Sequence, residues 1–151
     1  MENELTEFLK QRKEKEEEEK ANWNKIKEDW ITTLDNFLNK IKLWLSEPAQ
    51  ENLLTIIETK GGLNEEALGH YSAPMLIIRA DKDTIKIIPV GRFVLGAKGR
   101  VNMLGYGKKK GFLLVDEGWI YFHEKRGYGE PLGEPLTKEL FIRLFMEMLK
   151  K

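Results

Sequence analysis

The stretch MLIIRADKDTIKIIPV, Met75 to Val90, places two β-branched runs on either side of the polar link Ala80–Asp83. Met75–Arg79 and Thr84–Val90 read as strands, because Ile and Val fit the pleated, half-buried surface of a sheet. The link ADKD is too short to hold a crossover helix, so the two strands must run antiparallel as a hairpin.

Further strand-like runs follow outward from this pair. Leu53–Thr59, Phe93–Leu104, Phe112–Val115 and Trp119–His123 are rich in β-branched and aromatic residues. Their links, GYGKKKG at 105–111 and DEG at 116–118, are again hairpin length. An antiparallel sheet of five or six strands is expected. The segment GGLNEEALGHYSAP at 61–74 holds Gly and Pro breakers and is expected to be a loop, and GYGEPLGEP at 127–135 a turn-rich linker.

On either side of the strands the apolar period changes from two to about three and a half. Trp23, Trp30, Phe37 and Trp44 fall seven apart, with Ile26, Leu34, Leu38, Ile41 and Leu45 on the same side. The spacing predicts a helix from Ala21 to about Ser46, ended by Pro48. Aromatic side chains bury ~150–250 Å² each, so this stripe has to be covered. The domain's own sheet is the expected cover, with a second copy as the other choice. Thr137 caps a closing helix, Thr137–Lys150, with Glu139 in its first turn and Leu140, Phe141, Leu144, Phe145, Met148 and Leu149 on its buried face. The fold class is α+β, with a long N-terminal helix and a C-terminal helix flanking the sheet.

A length of 151 residues fits one domain, read here as 21–151 preceded by a charged, solvated helical arm at 1–20. The arm holds eight carboxylates against five basic residues, and only Leu5, Phe8 and Leu9 offer it a seat. The whole chain carries 25 basic and 25 acidic residues, so no global field draws it to nucleic acid or membrane. Cysteine is absent, which removes disulfides, thiolate nucleophiles and sulfur-ligated zinc. The first residues lack the basic start and apolar run of a secretory signal, and no apolar stretch reaches membrane-spanning length. A cytoplasmic protein with no membrane partner is expected.

Charge placement is less even than its total. From Thr84 to Val115 the chain has Lys86, Arg92, Lys98, Arg100, Lys108, Lys109 and Lys110 and no acid. If Phe93–Leu104 is one strand, Arg92, Lys98 and Arg100 share one side and Phe93, Leu95, Val101 and Met103 the other. A basic strip at residues 86–110 could neutralise phosphates, with Tyr106, Trp119 or Tyr121 stacking on bases. The arm's own run from Glu14 to Glu19 is a candidate to cover that strip. The glycines of this stretch do not make a nucleotide loop. Gly91 and Gly96 have P-loop spacing, but Ala97 stands where the lysine belongs. Gly105, Gly107 and Gly111 are one residue too widely spaced for a dinucleotide fingerprint, and no helix follows.

Catalytic signatures are sparse. Glu58-Thr59-Lys60 has the E-x-K form of a metal-dependent nuclease but lacks a partner aspartate on a preceding strand. His70, His123 and Glu124 could be imagined as zinc ligands, yet their spacing follows no zinc motif. No G-x-S-x-G elbow accompanies Ser46 or Ser72. No catalytic residue, metal ligand or cofactor is therefore assigned. The function expected is a non-catalytic protein-interaction or structural module, whose protein partner or second copy is met through the helix bearing Trp23, Trp30, Phe37 and Trp44. Nucleic-acid or polyanion binding is the alternative, and a metal-dependent hydrolase the third.

Overall fold

The structure, a computed structural model, describes residues 2–94, 96–122 and 133–149. Helix α1 runs unbroken over Glu2–Trp44, so the arm and the aromatic helix form one rod of 43 residues, ~65 Å long at 1.5 Å per residue. It ends at Trp44 because Pro48 has no N–H for the Trp44 carbonyl. After Leu45 the short α2, Ser46–Gln50, takes Pro48 into its first turn.

Seven strands follow as a meander in which every neighbour is antiparallel: β1 Thr55–Glu65, β2 Gly69–Ala80, β3 Asp83–Gly91, β4 Gly99–Gly105, β5 Lys108–Val115, β6 Gly118–Phe122 and β7 Gly133–Pro135. Helix α3, Lys138–Met148, closes the chain, with Thr137 Oγ1 accepting from the Leu140 N–H at 3.2 Å. The α+β class and the two flanking helices are as expected. The strand number is higher, because Gly133–Pro135 at the end of the supposed linker pairs with β6.

Two local expectations are overturned. Residues 61–74 are not a loop but the far half of the β1–β2 hairpin, paired from Gly61↔Ala73 to Glu65↔Gly69. Pro74 is tolerated because β2 pairs with β3 only over Leu76–Ala80, so no ladder bond is needed on that side. Gly69, at φ 74°, follows the three-residue turn in the left-handed position that such hairpins require. Phe93–Leu104 is not a single strand: β3 stops at Gly91, Val94 and Ala97 form a tight bridge, and β4 starts at Gly99.

One face of the sheet takes both helices. Trp30, Leu34, Phe37, Leu38, Ile41 and Leu45 of α1 are at most 4% exposed and pack with Leu76, Ile78, Ile85, Ile87, Val101 and Met103. Phe37 stacks on Trp119 at 4.1 Å between ring centres, and Phe112 meets both Phe37 and Phe141. The helix sits close to β4 at one point, because a Cβ on Gly99 would overlap the Trp30 ring. A glycine of the basic stretch thus serves packing.

Candidate functional site

The register separates the seven basic candidates. Lys108 and Lys110 fall on the helix-covered face, since Lys110 pairs with the buried Met103. Both reach the last turn of α3: Lys108 Nζ donates to the Glu147 carbonyl at 3.2 Å, and Lys110 Nζ lies 2.8 Å from its carboxylate. Cations at a helix C-terminus satisfy free carbonyls and oppose the negative end of the helix dipole. The Lys110 hydrogen bond in turn holds the Glu147 carboxyl below the ordinary carboxylate range.

Lys98 pairs with Asp116 at 2.8 Å and lowers that carboxyl in the same way. Arg92 lies at the β3–β4 corner, its guanidinium 5.2 Å from the Phe93 ring centre. Lys86, Arg100 and Lys109 point away from the helices. Arg100 extends across Gly111, binds Asn102 Oδ1 at 2.9 Å and ends 5.3 Å from the Phe122 ring centre.

The stacking candidates are divided too. Trp119 and Tyr121 belong to the helix-covered face, Trp119 against Phe37 and Trp30 and Tyr121 against Phe112. Tyr106 is exposed at a hairpin tip, with its hydroxyl on Asp83; that hydrogen bond raises its pKa.

The side of the sheet turned away from the helices is a distinct surface. Along β2 to β5 its outward positions include Arg79, Lys86, Arg100 and Lys109, and no Asp or Glu, among the described residues. Between them lie the half-buried Ile77, Ile88 and Leu104, with Leu113 at 3% exposure beneath the neighbouring side chains. Arg79 is absent from the sequence candidates because Asp81 and Asp83 separate it from the acid-free run at Thr84–Val115; its spacing of two from Ile77 in Met75–Arg79 is the signal that places it.

The N-terminal half of α1 is the second distinct surface. Residues 3–25 are exposed, and Leu5, Phe8 and Leu9 stand 65%, 61% and 48% accessible on one side of the rod. Of the four heptad aromatics, Trp30 and Phe37 lie in the core and Trp44 is half-buried against Phe141. Trp23 stays 41% exposed and meets Phe93 edge-on at 5.9 Å. The arm does not lie over the basic residues of its own sheet.

A further set of polar groups forms a network at the β1–β2 hairpin. The Trp30 Nε1–H donates to the Tyr71 hydroxyl at 3.1 Å, and that hydroxyl donates to Glu65. Glu65 also accepts the N–H groups of Arg92 and Phe93, each at 2.9 Å, so the carboxylate ties the hairpin to the β3–β4 corner. Burial, followed by the Glu65 bond, pushes the Tyr71 pKa upward. Glu58 and Lys60 border a cleft of about 260 Å³ with Asp35 and Asn39, but Glu58 is paired with Lys42. Asp35 reaches this cleft from α1, not from the preceding strand that the E-x-K pattern calls for. Among the described residues no three His, Cys, Asp or Glu side chains gather as a metal site; His123 and Glu124 lie outside those residues. No described helix is long and apolar enough to cross a membrane.

Compared with protein families, curated proteins and solved structures, the chain matches none.

Proposed function

We propose that the protein is a cytoplasmic, non-catalytic interaction module that engages a protein through the projecting half of α1. The observation that supports this is the exposure of Leu5, Phe8 and Leu9 at positions i, i+3 and i+4 of a helix. That spacing is how an amphipathic helix seats itself in an apolar recess. Three large apolar side chains held in water favour burial, at ~25 cal/mol per Å² of apolar surface removed. The body beneath is a rigid mount, since α1 continues from the arm into the core without a break.

Polyanion binding on the outer sheet face is the second reading, supported by Arg79, Lys86, Arg100 and Lys109 on a face without acids. It has the weaker support: Trp119 and Tyr121 are turned to the core side, and Lys108 and Lys110 are committed to α3. A photo-crosslinking residue placed at position 8 in the native cells separates the two, with position 32 on the body as control. Protein adducts from position 8 alone, identified by mass spectrometry, are the expected result. Adducts to nucleic acid alone, or none, overturn the proposal.

A further inference from the structure

We infer that the arm of one copy docks, on a second copy, against the sheet face that no described helix covers. This rests on the interaction-module reading and names its partner. The two surfaces complement each other in charge. The arm carries eight carboxylates against five basic residues, with Leu5, Phe8 and Leu9 a turn or two before the run Glu14–Glu19. The sheet face presents Arg79, Lys86, Arg100 and Lys109 around the half-buried Ile77, Ile88 and Leu104, with no acid among its described residues.

The dimensions agree. Leu5 to Asn22 spans ~27 Å of helix at 1.5 Å per residue. The basic face from β2 to β5 is three strand spacings wide, ~14 Å at 4.8 Å each, so the arm is long enough to cross it. The arm therefore crosses the sheet once, with acidic and apolar portions both in contact.

An arm cannot reach this face of its own chain. Helix α1 packs on the opposite side of the sheet and continues straight into the arm, so cis docking would require breaking the helix. Other self-pairings are disfavoured by charge. Two arms side by side oppose carboxylates with carboxylates, and two sheet faces oppose cations with cations. Because each chain has one arm and one face, two copies can exchange arms reciprocally and close as a two-fold dimer. The attraction weakens with salt, since the screening length is ~8 Å at physiological ionic strength and ~3 Å at 1 M.

The test is light scattering on the full chain at low and high salt, with two variants. Phe8→Glu spoils the arm and keeps the face; Lys86→Glu with Lys109→Glu spoils the face and keeps the arm. Wild type is expected to have twice the chain mass at low salt, shifting toward one chain mass at high salt. Each variant alone should be monomeric, and their mixture should restore a one-to-one complex. The three positions are exposed, so circular dichroism should match wild type, and Leu5→Glu is an independent arm variant. A monomeric wild type overturns the inference, as does a double variant that remains dimeric alone or a mixture that stays monomeric. In the crosslinking experiment, adducts from position 8 to a different protein overturn this inference and leave the interaction module standing. Nucleic-acid adducts alone overturn the module itself.

Discussion

Lys109 and its two neighbours, Lys108 and Lys110, are adjacent on one strand and have opposite roles. Lys108 and Lys110 turn to the helix side and hold the end of α3, whereas Lys109 turns to a side where no described helix lies. The same contrast separates Ile87, fully buried, from Ile88, half-buried on the outer side. A charge count along the chain therefore overstates a patch in an antiparallel sheet. Pleating sends alternate side chains to different faces, and the covered face converts its share of the charge into structure.

The largest expected effect tests whether the two faces are unequally covered. Ile87→Ala should lose about 2–5 kcal/mol of stability by urea melt, as buried aliphatic truncations do. Ile88→Ala should lose roughly 1 kcal/mol, because part of its surface is already in water. Equal losses would mean that the outer face is as well covered as the inner one. Next comes Gly99→Ala, expected to cost about 1–3 kcal/mol through overpacking against Trp30. A neutral result would show that α1 can lift from β4.

Thr137→Ala removes the cap of α3 and should cost about 1 kcal/mol. Lys110→Met should cost ~1 kcal/mol or less, and Lys109→Met should leave the melt unchanged, since exposed charges contribute little alone. Matching losses at 109 and 110 would mean that the two lysines are not divided between structural and outward roles. The smallest effect is in pH. Glu147 and Asp116 have carboxyls lowered by their lysines, so the folded state favours their ionised forms. Their contribution is present above the ordinary carboxylate pKa and is lost as pH falls through the lowered values. A melt series from neutral to acid should show a slight loss confined to that acid range, smaller in Lys110→Met.

Some of this was legible from residues alone because it depends on near neighbours. The period of Trp30, Phe37 and Leu34 marks the buried side of α1, Thr137 marks the start of α3, and the short links at 80–83 and 116–118 dictate hairpins. The hairpin at 61–74 was hidden because Gly61, Gly62 and Pro74 are breakers by local rule. The edge position of β1 and the unpaired side of β2 cancel that rule. The fates of Lys108, Lys109 and Lys110 were hidden for a different reason. Each lysine looks the same in sequence, and only the register against β4 and the location of α3 distinguish them.

The chain by itself determined an α+β meander between two helices, an acidic arm and a basic middle, because period, turn length and charge are properties of adjacent residues. The tertiary structure alone decided which face the helices cover, and hence which cations cap a helix and which face outward. That choice belongs to packing between segments far apart in sequence: Trp30 fits over Gly99, Phe37 lies on Trp119, and the end of α3 meets β5. At Lys108 to Lys110 no local pattern encodes it, because three identical residues offer both faces equally until register and a packed partner assign one.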